Sequence, residues 1–269
     1  MSDRVRVTVE NHVATVTMIR GDKHNALDAG MFSGLIAAAA EVAATPGVRV
    51  VVLHGDGPSF CSGLDVMSFA ESGGSLNDSP LFDREGGHRA NTAQRVALDW
   101  VDLPVPVIAA IHGNCLGGGL QIALGADIRI AHPEAKLSVR EIQWGLIPDM
   151  GISETLPKVL GIDVAKELTY TGRIVSGAEA DALGLVTRLA DDPLAAAHEL
   201  AAEIAMRSPD AVRAAKQLYD RVYESGADLA LETALQQALI GSPNQFAAAV
   251  AGMTKQPAEF VDPEPAVIA

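Results

Sequence analysis

In the stretch LGGGLQIALGAD, residues 116–127, three glycines stand in a row before an apolar segment of helical character. Bare backbone at a helix start leaves N–H groups unpaired and lets a ligand atom come close to them. That arrangement suits an oxygen that gains negative charge during a reaction, so the run reads as one half of an oxyanion hole. A tight turn packed against a neighbouring helix is the competing reading. The first polar side chain after the glycines is Gln121, which can donate and accept hydrogen bonds but cannot exchange a proton near neutral pH.

Other glycine chemistries fail on spacing. No Gly-Lys-Ser/Thr follows Gly113 at the phosphate-loop offset, and Ile122 stands where a dinucleotide-binding fingerprint needs its third glycine. No Gly-x-Ser-x-Gly nucleophile elbow occurs anywhere in the chain.

The glycine run sits in a repeated strand–loop–helix grammar. VRVVVLHG (48–55) reads as a buried strand leading into DGPSFCSGLD, and PVPVIAAIHG (104–113) as another leading into the glycines, a helix over 118–124 and the strand DIRIA. Alternating segments 4–10 and 12–19 predict a hairpin at Asn11-His12, and Asp28 is placed to cap an Ala-rich helix over 31–44. AESGGSLNDSP (70–80) reads as a flexible loop. Beyond about Ala195 only helical signals remain, divided by Ser-Pro and Gly. An α/β core over 1–194 with a helical region over 195–269 is the expected layout.

Composition narrows the function class. A formal net charge of −14 over 269 residues disfavours a binder of nucleic-acid phosphates, and an anionic ligand would need local cations and backbone N–H groups. No apolar run approaches a membrane span, and MSDRVRVTVENHVATVTM lacks the apolar core of a signal peptide. The two cysteines, Cys61 and Cys115, have no metal spacing and cannot build a disulfide framework. A cytoplasmic protein with two reduced thiols and no metal is expected.

SFCSGLDV (59–66), IAAIHGNCLGGGLQIALGADIRIA (108–131) and LSVREIQWGLIPDMG (137–151) come in the order seen in the crotonase superfamily, the enoyl-CoA hydratase/isomerase family. RGDKHNAL near the start, LTYTGRIVSGAEADALGLVTRL (168–189) and SPDAVRAAKQLYD (208–220) extend the resemblance over nearly the whole chain. It implies a spiral of repeated ββα units with C-terminal helices that assemble a homotrimer or hexamer. It also implies an acyl-CoA thioester substrate and no separate cofactor, coenzyme A being part of the substrate. The implied oxyanion hole is the backbone N–H of Leu64 and of Gly118. Cys61 and Cys115 each precede one of these donors by three residues, with packing as the plainer account of both.

Hydratases of this family resemble two-carboxylate enzymes, and here the first acidic position is occupied by Gln121 while the second is preserved as Glu141. Eight residues later stands Asp149, a feature similar to the family's dienoyl-CoA isomerases, as are IHGNC, LPKVLG and an enlarged insert comparable to 66–102. The resemblance therefore implies double-bond isomerisation in fatty-acid breakdown, with Glu141 and Asp149 as the catalytic pair. Hydration of a 2-enoyl-CoA with Glu141 alone is the alternative within the family, and a non-catalytic acyl-CoA-binding subunit is the alternative outside it. Plainer roles are a helix cap for Asp149, an ion pair with Arg140 or another surface cation for Glu141 and a hydrogen-bonded helix position for Gln121. The implied CoA lip comprises Arg20 and Lys23 as cations, the backbone of Ala26, Ser62, Gly63 and Leu64, and Lys255 and Phe260 from the same or a neighbouring subunit.

Overall fold

The computed structural model describes residues 3–65, 80–226 and 229–265. The segment 70–80, read above as a flexible loop, lies outside the described residues except for Pro80, as does the first part of the insert.

Strands β1 (Val5–Glu10) and β2 (Val13–Met18) form the expected antiparallel hairpin. Asn11 (φ 49°) and His12 (φ 67°) are both left-handed, the twist that a two-residue hairpin turn requires. Strands β3 (Val50–Gly55), β4 (Val107–Ile111), β6 (Ile128–Ala131) and β9 (Arg188–Leu189) add in parallel, giving the order β1-β2-β3-β4-β6-β9. A smaller sheet joins β5 (Asn114–Leu116), β7 (Lys136–Ser138) and β8 (Val175–Ser176).

The parallel strands are apolar on both faces, which is why their sequences run as VVVL and VIAAI without alternation. Val51, Leu53, Val107, Ala109 and Ile111 point into the main core with helices α1 (Ala29–Ala44) and α2 (Thr92–Val101). Val50, Val52, Ile108, Ala110 and Ile130 face the other way, onto helix α7 (Pro193–Ala205). Each such aliphatic side chain contributes roughly 1.5–3 kcal/mol on full burial. Asp28 caps α1 as expected, accepting the Met31 N–H at 2.8 Å.

The helical end divides differently from the expected boundary near Ala195. Ala197, Ala201 and Ala205 bring α7 flat against the sheet, so this helix closes the core. The small Ala spacing allows that close approach. Helices α8 (Pro209–Ser225), α9 (Leu229–Leu239) and α10 (Pro243–Thr254) follow and leave Tyr219, Leu229, Phe246 and Met253 exposed. Between the glycine turn and α7 lie α3 (Gly118–Leu124), α4 (Ile152–Thr155), α5 (Ile162–Thr171) and α6 (Gly177–Leu183).

Candidate active site

Two chain segments meet at the C-terminal ends of β3 and β4. The segment 61–65 is held on one side by β5, through Cys61 N–H to Asn114 O (2.9 Å) and Leu116 N–H to Cys61 O (3.0 Å). On its other side it bridges Leu27, with Leu27 N–H donating to Gly63 O (2.8 Å) and Asp65 N–H donating to Leu27 O (3.0 Å). In a parallel bridge those partners flank Leu64, whose own N–H points off the opposite side and meets no acceptor among the described residues. Gly118 is the first residue of α3, so its N–H has no partner within the helix either.

The glycines let the two donors approach. Gly63 has φ +88°, and a Cβ built there would lie 2.7 Å from Leu116 O and 3.6 Å from Gly118 N. Gly119 lies so close to the Cys61 carbonyl that no side chain fits between them. The turn-packing reading of the glycines is therefore true, and it is also what brings two free N–H groups together. Cys61 and Cys115 pair side by side in a β-bridge, fully buried and free, with the Cys61 thiol pushed up to about 12 by desolvation. They are core residues beneath the site.

Glu141 opens a 3-10 turn (Glu141–Trp144) that places its carboxylate against Gly117, where a Cβ would stand 3.3 Å from Oε1. Gln121, one turn into α3 and 1% exposed, donates from Nε2 to Glu141 Oε1 at 2.7 Å. Its Oε1 accepts the N–H of Met150 at 2.8 Å. Glu141 Oε2 is buried without a hydrogen-bond partner. Burial raises the Glu141 carboxyl above the ordinary carboxylate range, backbone N–H groups and the Gln121 amide oppose that rise, and the charge of Asp149 adds to it. Asp149 is the more exposed of the two acids, and partial desolvation raises its carboxyl as well.

Both plainer roles for the acids fail. The cap position of α4 is Gly151, with no side-chain capping bond, so Asp149 caps nothing. Among the described residues Glu141 forms no ion pair with Arg140 or any other cation.

Of the residues expected to form a CoA lip, Ala26 and Ser62–Leu64 do lie together through the Leu27–Leu64 bridge, with Ser62 N–H donating to His24 O at 3.0 Å. Arg20 requires a correction. Its guanidinium pairs with Asp65 (2.8 Å) and Asp28 (3.4 Å), donates to Ala26 O (2.9 Å), and is only 14% exposed. Two carboxylates already neutralise it, so it fastens the 61–65 segment to the start of α1. Lys23 is exposed and remains available to an anion.

Within its own subunit Phe260 lies away from the site. Its ring lies under the Arg49 guanidinium (5.9 Å to the centroid), and Asp262 pairs with Arg49 at 2.6 Å. Arg49 precedes β3, so within one subunit the tail packs at the opposite end of that strand from the site. Lys255 ends α10 in a left-handed cap, exposed to solvent.

Several contributors carry no sequence signal. Met150 takes part through its main chain, which every residue possesses, and Asp65 is one acid among 34 Asp and Glu. Ile142, Trp144, Leu146 and Ile147 make an exposed apolar surface between the two acids; Trp144 is 66% and Ile147 75% exposed. Four apolar residues within six positions of a loop could have been noticed in EIQWGLIPD. A cavity of about 950 Å³ elsewhere, lined by Leu103, Pro104, Gln217 and Leu235, contains none of the site residues.

Comparison with known proteins identifies the family. The family model for enoyl-CoA hydratase/isomerase matches residues 8–259. YngF of Bacillus subtilis, whose name carries the same hydratase/isomerase description, is 37% identical over 241 residues, 88% of each chain. The mitochondrial Delta(3,5)-Delta(2,4)-dienoyl-CoA isomerase of Mus musculus is 34% identical over 229 residues, 80% of this chain and 68% of that one. The crystal structure of an enoyl-CoA hydratase from Bacillus anthracis superposes with a TM-score of 0.85 at 29% identity, covering 96% of this chain and 99% of that one. Motif order, fold and matched length lead to one conclusion: the chain is an enzyme of the enoyl-CoA hydratase/isomerase family, within the crotonase superfamily.

Proposed function

We propose that this enzyme shifts a double bond within an acyl-CoA by proton transfer through a thioester enolate. The observation that carries the reading is the pairing of two partly desolvated carboxyl groups, Glu141 and Asp149, with a glutamine at the third polar position. A double-bond shift needs one group that takes a proton and another that returns one. Desolvation disfavours the charged form of both carboxyls, which brings each closer to exchanging a proton near neutral pH.

The chemistry balances on the chain's own groups. One carboxylate removes the proton α to the thioester, and the electron pair of that C–H bond moves onto the carbonyl oxygen. The N–H groups of Leu64 and Gly118 stabilise this enolate, each such donor being worth about 2.7–4 kcal/mol. The electrons then return along the conjugated chain, and the second carboxyl delivers a proton to a distal carbon. Atoms are neither gained nor lost, and no separate cofactor takes part. Ile142, Trp144, Leu146 and Ile147 offer the acyl chain an apolar surface between the two acids. The CoA portion lies along Ala26 and Ser62–Leu64, with Lys23 toward its phosphates.

The test is turnover of Glu141→Gln and Asp149→Asn on 3,5-dienoyl-CoA and 2-enoyl-CoA. Either variant should lose about 10²–10⁴-fold on the dienoyl substrate while acyl-CoA affinity stays nearly intact. Dominant hydration of 2-enoyl-CoA with Asp149→Asn fully active would overturn the reading in favour of a hydratase. Binding without turnover of either substrate would make the chain a non-catalytic binder.

A further inference from the structure

The site contains one buried polar side chain with no part in that proton transfer. Gln121 is 1% exposed, and both ends of its amide are engaged: Nε2 with Glu141 Oε1 at 2.7 Å and Oε1 with Met150 N–H at 2.8 Å. These partners belong to the two ends of one loop. Glu141 begins it and Asp149, bonded directly to Met150, ends it, while the side chains between are largely exposed. A loop with so few buried contacts has little of its own to keep its ends at a constant separation. Gln121, by contrast, sits on α3, whose seven residues are all buried and whose first N–H is the Gly118 donor.

We propose that Gln121 is a positioning residue that clamps both acid-bearing ends of this loop to the helix of the oxyanion donor, leaving Glu141 Oε2 as the oxygen that exchanges the proton. The proposal rests on the isomerase reading above. With Oε1 engaged by the amide, Oε2 is buried and without a partner, the condition of an atom awaiting a substrate. A glutamine suits the task because it holds a donor and an acceptor on one planar group and titrates at no accessible pH. A carboxylate there would set a like charge 2.7 Å from Glu141 and could not donate when ionised.

The amide also governs how readily Glu141 ionises, since a hydrogen bond to the charged form favours it. The other groups facing Glu141 are Asp149, which opposes ionisation, and the N–H groups of Glu141 and Arg140, which favour it. Helix α5, packed on the same turn, carries Asp163, Lys166 and Glu167, and Glu167 is paired with Arg173 at 2.7 Å.

The experiment compares Gln121→Met and Gln121→Asn with wild type in kcat, KM and the pH profile of kcat/KM. Methionine fills the volume without hydrogen bonds, and asparagine keeps an amide too short to reach both partners. Each should lower kcat by about 10- to 100-fold with KM within about threefold, the loss of one hydrogen bond to a charged group. The acid limb of the profile should move to higher pH, because Glu141 loses the donor that favours its ionised form. If Gln121→Met fails to fold, Gln121→Asn carries the same expectation. A wild-type kcat and pH profile in the folded variants would reduce Gln121 to core packing, and a raised KM at unchanged kcat would make it a substrate contact. Either result overturns the clamp. Glu141→Gln on the same substrate separates this from the parent reading: retained turnover there sinks the isomerase assignment, whereas an inactive Glu141→Gln beside a normal Gln121→Met sinks only the clamp.

Discussion

Gly63→Ala tests whether the contact between segment 61–65 and α3 creates the reactive site. Gly63 has φ +88°, a region that costs an L-residue roughly 1–2 kcal/mol. The added Cβ would stand 2.7 Å from Leu116 O, and that strand is held in register with β7 through the Leu116–Ser138 pairing. Ordinary contact begins near 3.4 Å, so one side must retreat by 0.7 Å (3.4 − 2.7). The 61–65 segment is the one to move, and it carries the Leu64 N–H. A donor placed about 2.9 Å from the developing oxyanion would end near 3.6 Å, beyond hydrogen-bonding reach. Losing one such donor lowers kcat by about 10²–10³-fold. The assay is kcat on a dienoyl- or enoyl-CoA alongside acyl-CoA affinity and Tm. Gly47→Ala is the control, because Gly47 (φ +77°) has similar strain near Asp262, at the far end of β3. Both variants should lose stability, and only Gly63→Ala should lose turnover. A folded Gly63→Ala enzyme within about threefold of wild type would refute the Leu64–Gly118 donor pair.

Four further outcomes are expected. Glu141 has a raised carboxyl pKa, so in the native state its charged form is disfavoured: its stabilising contribution is complete below the unfolded carboxylate range and is lost as pH rises through the folded pKa. Glu141→Gln should therefore raise Tm at neutral pH, and the gain should shrink as the pH falls below the carboxylate range; an equal gain at every pH contradicts the desolvation account. Arg20→Met should cost on the order of 3 kcal/mol in denaturant unfolding, by removing the cation that joins Asp65 to Asp28 in a largely buried network, with Arg4 still pairing Asp28 at 3.0 Å. The salt dependence of acyl-CoA binding should persist in that variant and weaken in Lys23→Ala; a loss of salt dependence in Arg20→Met alone would restore Arg20 as a phosphate contact. The exposed apolar side chains of α9 and α10, among them Leu229, Phe246 and Met253, should be covered in a homotrimer or hexamer, and a stable active monomer in sedimentation would contradict this.

Local pattern was sufficient wherever a property depends on residues adjacent in the chain. The Asn11-His12 hairpin, the Asp28 cap, the two-faced apolar strands and the helix beginning at Gly118 follow from turn chemistry, capping and periodicity, which act over a few residues. Glu141, Asp149, Leu64 and Gly118 were singled out by motif order, through the resemblance to the family, and their roles belong to the proposed function. Partnership between distant segments was not legible. That Arg20 is consumed by Asp28 and Asp65, that Phe260 turns to Arg49, and that α7 closes the sheet are consequences of which surfaces meet. A cation in a polar turn reads the same whether it faces a phosphate or two carboxylates. Gln121 marks the limit most clearly. Its position in the chain excludes proton exchange there, but only the folded chain brings its amide within 2.8 Å of both Glu141 and the Met150 N–H, because hydrogen bonding is a property of distance and direction in space.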